Sequence, residues 1–236
     1  MIYFVGAGSG DPKLITIKAK EILEEADVVL YTGSLVPKEV ISWAKKATII
    51  KDSQKMKYDE IFEFLKLHHD KKVARVHTGD PSLYSTIAKQ IDFLKKEGIS
   101  YEVIPGVTAS FGASASLGIE FTIPGVSQTL IMTRVEGKTP QPEPLENILR
   151  CKNSSLVFYL SISLIQKLTK KALEMGYSED TPCWVVQKAT WEDEKVYKGT
   201  IKDIHKKVSH IKGVSIIMMG EFLNQKESCE SHLYVK

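Results

Sequence analysis

The sequence predicts an α/β chain of two α/β domains, with a mostly parallel sheet in the first and a mixed sheet in the second. Three observations predict it. Through the first half, short apolar runs alternate with amphipathic stretches over short connections, the pattern of a parallel sheet with right-handed crossovers. Turns rich in glycine or proline follow three of those runs, at Gly6–Pro12, Thr78–Tyr84 and Pro105–Ala109, and ligands of such sheets bind beyond the carboxyl ends of strands. After Leu117–Gly125, again rich in glycine and proline, the pattern changes. The expected domains are residues 1–120 and 121–236.

In order along the first domain, strands are expected at Ile2–Ala7, Val28–Thr32, Thr48–Lys51, Val73–His77 and Tyr101–Pro105. Helices are expected at Ile17–Ala26 and Tyr58–His69, where Ile61, Phe62, Leu65 and His69 recur at helical spacing. A further helix is expected to start near Pro81 or Ser82, because Asp80 before Pro81 is good helix-start chemistry. In the second domain strands are expected at Gln128–Thr133, Leu156–Leu160, Cys183–Lys188, Lys195–Thr200 and Val214–Met219. Trp191-Glu192-Asp193-Glu194 reads as a hairpin connection between two of them. Glu136–Pro144, with three prolines and a glycine, reads as a long mobile loop of the kind that binds ligands. The charged tail Asn224–Lys236 is expected to fray.

Composition narrows the function. A hydrophobic content of 43% and a charged content of 26% suit a globular protein. Lys+Arg of 32 against Asp+Glu of 29 leaves +3, too mild to imply nucleic acid and compatible with an anionic small molecule. Cys151, Cys183 and Cys229 are odd in number and form no C-x-x-C pair, which favours a reducing compartment and excludes a cysteine metal cluster. The chain opens into a strand without a secretory leader, and no apolar run nears the roughly 18 residues of a membrane helix. A cytoplasmic protein without membrane partners is expected. His68 with His69, and His205 with His210, lack metal-ligand spacing, so no metal site is expected. Hydrolase, NTPase and zincin motifs are absent.

The first turn, Gly6-Ala7-Gly8-Ser9-Gly10-Asp11-Pro12, is the most informative segment. A dinucleotide fingerprint needs G-x-G-x-x-G. Here the third glycine comes one place early, and Asp11 takes its position. An acid suits a cationic or hydroxyl-bearing ligand better than a pyrophosphate, which points to a nucleoside-like cofactor without phosphates, such as S-adenosylmethionine. In His77-Thr78-Gly79-Asp80-Pro81-Ser82-Leu83-Tyr84, Asp80 is either a helix cap or a ligand contact. The small residues from Gly106 to Ser116 serve either close packing or the approach of a flat ligand. Arg134, ending a strand beside the loop that carries Lys138, reads either as a solvated base or as a carboxylate clamp.

Taken together, Gly6–Pro12, Thr78–Pro81, Pro105–Ala109 and Phe158-Tyr159-Leu160 resemble the tetrapyrrole (corrin/porphyrin) methyltransferases, in order, from residue 2 to about residue 220. Tyr31-Thr32-Gly33-Ser34-Leu35-Val36, Gly79–Tyr84, Gln128–Arg134 and Gly137-Lys138-Thr139-Pro140 resemble the branch that methylates C11 of precorrin-4, metal-free or cobalt-containing, in cobalamin biosynthesis. The resemblance implies two α/β domains with S-adenosylmethionine in the cleft between them, leaving S-adenosylhomocysteine as product. It implies cofactor contacts at Ser9, Thr78, Gly79, Asp80, Leu83, Thr108, Ala109, Leu160 and Ala189. It implies positioning of an already activated methyl group rather than an obligatory catalytic acid or base. The substrate would be a carboxylate-edged small-molecule tetrapyrrole, met by Arg134 and Lys138, with Arg75 and Lys51 behind them. A homodimer is implied, without nucleic acid. The residues leave open a methyltransferase of the same fold acting on another corrinoid position, RNA or protein, and a non-catalytic nucleotide-binding module.

Overall fold

The computed structural model describes residues 1–224; the rest of the expected fraying tail, and Cys229 within it, lie outside the described residues. The chain divides into two compact units. The first is Met1–Gly112 with Thr190–Glu192; the second is Ala113–Ala189 with the described chain from Asp193 onward.

The first unit contains β1 (Ile2–Gly6), α1 (Ile17–Glu25), β2 (Val28–Tyr31), α2 (Lys38–Ser42), β3 (Ile49–Asp52), α3 (Tyr58–Leu67), β4 (Val73–His77), α4 (Ile87–Lys96), β5 (Tyr101–Ile104) and the start of α5 (Ala109–Leu117). Its five strands lie in the order β3-β2-β4-β1-β5, all parallel. A parallel sheet covered on both faces reads as continuous apolar runs. One face packs Val5, Val29, Ala74 and Val76 against Ala19, Ile22 and Leu23 of α1. The other packs Phe4, Val28, Leu30 and Val73 against Ile61, Phe64 and Leu65 of α3 and Leu94 of α4. Each buried Val, Leu, Ile or Phe among them contributes about 1.5–3 kcal/mol.

Local chemistry sets the helix starts. The Thr16 side chain accepts from the Ala19 N–H at 3.2 Å and caps α1. In α3 the buried positions are Ile61, Phe64 and Leu65; His69 lies beyond the helix and is exposed, so the apolar face is rotated from the expected one. The helix expected at Pro81 or Ser82 begins instead at Ile87. Asp80 closes a tight turn by accepting from the Ser82 N–H at 2.8 Å. Tyr84 (φ 56) and Thr86 (φ 55) then take left-handed backbone, which no helix can pass through.

The second unit contains β6 (Leu130–Arg134), α6 (Leu145–Leu149), β7 (Ser155–Tyr159), α7 (Ile165–Glu174), β8 (Pro182–Gln187), β9 (Lys195–Thr200), α8 (Ile204–Lys207) and β10 (Ser215–Met219). Its sheet is ordered β6-β7-β10-β8-β9. Only β6 and β7 pair in parallel; β10 is antiparallel to β7 and β8, and β8 to β9. The mixed sheet and the β8–β9 hairpin match expectation. Helix α7 had no sequence assignment, although Ile165, Leu168 and Ala172 form its buried stripe; they pack on Leu156, Phe158, Val185 and Ile217. Among the described residues no helix is long and apolar enough to cross a membrane.

The ends of β4, β1 and β5 meet backbone to backbone. A Cβ on Gly106 would lie 2.3 Å from the Gly79 carbonyl oxygen and 2.9 Å from the Gly6 Cα; one on Gly6 would lie 2.7 Å from the Gly106 nitrogen. No side chain fits there. We expect Gly106→Ala to cost about 1–3 kcal/mol or more by overpacking. Gly98, left-handed but with nothing within 4 Å of a Cβ, is the control and should cost about 1–2 kcal/mol from backbone strain alone. Urea unfolding of both variants checks this; a Gly106→Ala no less stable than the wild type would show that the strand ends are not closely packed.

Candidate functional site

In the first unit the candidate residues form one connected structure. Gly8 and Gly79 exchange backbone hydrogen bonds, Gly79 N–H to Gly8 O at 2.8 Å and Gly8 N–H to Gly79 O at 3.3 Å. Both glycines are left-handed, φ 80 and φ 65, where other residues are strained. A Cβ on Gly79 would lie 3.6 Å from the Thr108 Cα and 3.9 Å from the Ala109 nitrogen. Leu83, half-buried, donates its N–H to the Asp80 carbonyl at 3.2 Å. A Cβ on Gly112 would lie 2.4 Å from Ser9 Oγ, so this glycine of the small-residue run serves close packing. The structure thereby brings together Ser9, Thr78, Gly79, Asp80, Leu83, Thr108 and Ala109.

Two acids in these turns are structural. Asp11 accepts from the Lys13 N–H at 2.8 Å and caps a single 3₁₀ turn, Pro12–Leu14. Asp80 caps no helix. One of its oxygens takes the Ser82 N–H and hydroxyl; the other takes the Gly106 N–H at 2.9 Å. Burial pushes the Asp80 carboxyl up, but the hydrogen bonds from the Ser82 hydroxyl, Gly106 and the Ser82 N–H outweigh it and hold it below the ordinary carboxylate range. Asp80 is therefore a positioning residue that ties the β4 turn to the β5 turn.

Thr78 differs. Its hydroxyl oxygen is buried and has no hydrogen-bond partner, a state that costs about 1–3 kcal/mol and that a ligand atom or a water can relieve. Ser9 is occupied: its hydroxyl meets Thr190 Oγ1 at 2.9 Å, that same oxygen takes the Asp11 N–H at 3.0 Å, and Trp191 Nε1 donates to the Ser9 carbonyl at 3.1 Å. Trp191 was legible only as part of a hairpin connection and Thr190 had no reading; nothing in their spacing marks them as partners of the first turn.

The remaining cofactor candidates, Leu160 and Ala189, belong to the second unit. Leu160 follows β7 with φ 53 and is 70% exposed, an apolar side chain held outward on strained backbone. Ala189 is buried, and its chain neighbours Lys188 (φ 54) and Thr190 (φ 66) are left-handed. The described left-handed non-glycine residues all follow β4, β7 or β8, and such strain concentrates at functional sites. Arg134 donates to the Thr139 carbonyl at 2.9 Å and the Pro140 carbonyl at 2.6 Å, so it holds the loop backbone; Lys138 in that loop is exposed. Arg75 does not stand at a rim. It is 3% exposed and lies on the face of the first sheet that packs α3 and α4. Lys51 rests over the Phe64 ring at 5.2 Å.

The turns after β1, β4 and β5 offer backbone groups, small side chains and the unpartnered Thr78 hydroxyl, and none of the candidates in those turns is a lysine or arginine. That set fits a neutral nucleoside and a cationic sulfur better than a phosphate chain. Among the described residues no three His, Cys, Asp or Glu side chains gather to hold a metal ion.

Fold and site define the class: an α/β protein with glycine-built strand ends around a site without cationic side chains. A family profile described as Tetrapyrrole (Corrin/Porphyrin) Methylases matches residues 1–205, and the chain belongs to that family. It is 47% identical over 241 residues to the cobalt-precorrin-4 C(11)-methyltransferase of Methanocaldococcus jannaschii, covering 100% of this chain and 93% of the relative. The X-ray structure of a cobalamin biosynthetic enzyme, cobalt precorrin-4 methyltransferase, superposes with a TM-score of 0.90 at 41% identity, covering 94% of this chain and 95% of that one. A uroporphyrin-III C-methyl transferase from Thermus thermophilus, complexed with S-adenyl homocysteine, superposes with a TM-score of 0.80 at 27% identity, covering 95% and 99%.

Two outcomes follow from the site. Asp80→Ala should lose about 1–3 kcal/mol by leaving the Gly106 N–H unpaired, with Asp80→Asn, which keeps an acceptor, between it and the wild type; equal stability of all three in urea would remove Asp80 from this role. His77, 1% exposed, has its pKa held well below the ordinary value, first by burial and then by the Arg75 charge. Below about pH 6.5 the unfolded chain takes up a proton that folded His77 refuses, so stability falls as pH drops, by up to about 1.4 kcal/mol per unit until the folded pKa is reached. Wild type should therefore lose about 1 kcal/mol more than His77→Asn between pH 7.5 and 5.5; parallel losses in chemical denaturation would contradict it.

Proposed function

We propose that this chain transfers the methyl group of S-adenosyl-L-methionine to C11 of precorrin-4, in its metal-free or cobalt form, within cobalamin biosynthesis, and releases S-adenosyl-L-homocysteine. The observation that carries the cofactor part is the buried, unpartnered Thr78 hydroxyl beside the fused Gly8–Gly79 turns. The family and the two cobalt-precorrin-4 relatives support the substrate.

Bound there, the cofactor supplies a methyl group already activated on a sulfonium. What the protein adds is alignment, which can supply roughly 7–11 kcal/mol of a barrier. Gly79, Thr108 and Ala109 offer a close backbone surface to a flat nucleoside, and the Thr78 hydroxyl gives it one hydrogen bond. Asp80 acts through the turns it ties together. Ser9 contributes through its backbone, since its hydroxyl meets Thr190. Leu83, Leu160 and Ala189 supply apolar contact. Lys138 attracts the substrate's carboxylates, and Arg134 shapes the loop that carries it. A cytoplasmic homodimer completes the reading, and light scattering tests the dimer.

The decisive experiment is incubation with methyl-labelled S-adenosylmethionine and each of cobalt-precorrin-4, precorrin-4 and uroporphyrinogen III, followed by mass and carbon NMR. One label at C11 of a precorrin-4 form is expected. Label at C2 or C7 of uroporphyrinogen III would overturn the substrate assignment. In calorimetry S-adenosylhomocysteine should bind and raise the Tm by mass action, and NAD should not. Tighter NAD binding would favour a nucleotide-binding module instead.

A further inference from the structure

The first glycine turn, Gly8-Ser9-Gly10-Asp11, is held by two consecutive residues from far along the chain. Thr190 Oγ1 meets Ser9 Oγ at 2.9 Å and accepts the Asp11 N–H at 3.0 Å; Trp191 Nε1 donates to the Ser9 carbonyl at 3.1 Å. A hydroxyl, an N–H and a carbonyl of one turn are thus met by two neighbouring side chains. Thr190–Glu192 is an excursion of the later chain into the first compact unit, to which the turn itself belongs.

Thr190 occupies this place against its backbone preference. Its φ is 66, and Lys188, two residues before it, has φ 54. Left-handed backbone is an outlier for a β-branched residue and easy for glycine. What threonine offers there and glycine lacks is the hydroxyl that serves two groups of the turn. Strain of this kind persists where the surroundings over-determine it, and it gathers at ligand clamps. A third element makes room for the arrangement. A Cβ on Gly112 of α5 would lie 2.4 Å from Ser9 Oγ and 3.0 Å from Thr190 Cγ2, so only glycine at 112 leaves the two hydroxyls their place.

The turn so held is the one whose Gly8 exchanges backbone hydrogen bonds with Gly79, next in sequence to the unpartnered Thr78 hydroxyl. Ser9 stands between two glycines, whose backbone freedom leaves such a turn without a shape of its own. We propose that Thr190 and Trp191 are positioning residues of the methyl-donor site, which hold the first glycine turn in the form that receives S-adenosylmethionine. This rests on the functional reading above for the identity of the ligand; the clasp itself rests on its hydrogen bonds. The two residues act through Ser9 and Asp11, by sparing the ligand the ordering of a loose turn. They therefore govern donor affinity and leave recognition of the tetrapyrrole alone.

The test reads S-adenosylhomocysteine affinity by calorimetry and the two KM values separately. Thr190→Val keeps the branched shape and the strain but removes the hydroxyl. Its dissociation constant for S-adenosylhomocysteine and its KM for S-adenosylmethionine are expected to rise about tenfold, with the KM for cobalt-precorrin-4 within about twofold of the unaltered protein. Thr190→Ser restores the hydroxyl and should recover most of the affinity. Trp191→Phe, which removes only the indole donor, should weaken S-adenosylhomocysteine severalfold. Gly98→Ala, destabilised away from the turn, should bind it normally and so separates this effect from general loss of stability. If Thr190→Val does not fold, Thr190→Gly removes the same hydroxyl while relieving the strained backbone, and should show the same loss of affinity. Unchanged S-adenosylhomocysteine affinity in the folded hydroxyl-less variant would overturn the proposal. So would a serine variant as weak as the valine one, or a parallel rise in the KM for cobalt-precorrin-4. Failure of the unaltered protein to bind S-adenosylhomocysteine would overturn the functional reading and the proposal with it, whereas equal binding by the unaltered and hydroxyl-less proteins overturns the proposal alone.

Discussion

The contact on which the first unit depends is the approach of three backbones at the ends of β1, β4 and β5. Gly6 and Gly106 approach each other and the Gly79 carbonyl so closely that neither has room for a Cβ. Because the strands close to that distance, the Gly8–Gly79 bridge can form, and Asp80 can span from the β4 turn to the Gly106 N–H. The turns are thereby fixed by main-chain geometry and one carboxylate. Mobile surface side chains play no part in that core. Such a site is preorganised, since little rotamer entropy remains to be lost when a ligand arrives.

The alternation of strand and helix was plain in the sequence because parallel strands buried on both faces leave uninterrupted apolar runs. Val28–Tyr31 and Val73–His77 were legible within a residue for that reason. The start of α4 was not. Asp-Pro-Ser is equally good chemistry for a helix cap and for a tight turn, and the choice was made by Gly106, 26 positions away, whose N–H takes the second Asp80 oxygen. A local reading has no access to that partner. The same holds for Ser9: its neighbours Thr190 and Trp191 lie 181 and 182 positions along the chain. Glycine spacing revealed where turns approach closely. It did not reveal which hydroxyl stays unpartnered, and Thr78 and Ser9 differ only through such distant contacts.

Arg75 shows the converse limit. As a residue type at a strand position it reads as a candidate for the substrate's carboxylates, behind Arg134 and Lys138. Burial reverses that reading. The strand alternation that hides Val73 against α3 and α4 also hides Arg75, whose donors meet Gln90, Leu30 and Ser53.

The sorting of charge within the first unit has a chemical logic. A sulfonium carries positive charge that is lost as the methyl group leaves, so a fixed cation beside it would destabilise the bound donor more than the neutral sulfur that follows. It would speed departure of the methyl group only by weakening the binding that alignment requires. An anionic group close by would hold the donor too firmly and oppose that loss of charge. The turns around Gly79 avoid both extremes. Their nearby acid, Asp80, has both oxygens hydrogen-bonded to Ser82 and Gly106, which disperses its charge into the protein's own dipoles. The buried Arg75 is set apart on the α3 and α4 face of β4, where its hydrogen bonds run to Gln90, Leu30 and Ser53 and not to the glycine turns. Backbone groups, small side chains and an acid already tied to N–H groups of its own turns are what a cationic donor, held for transfer rather than for storage, would ask of such strand ends.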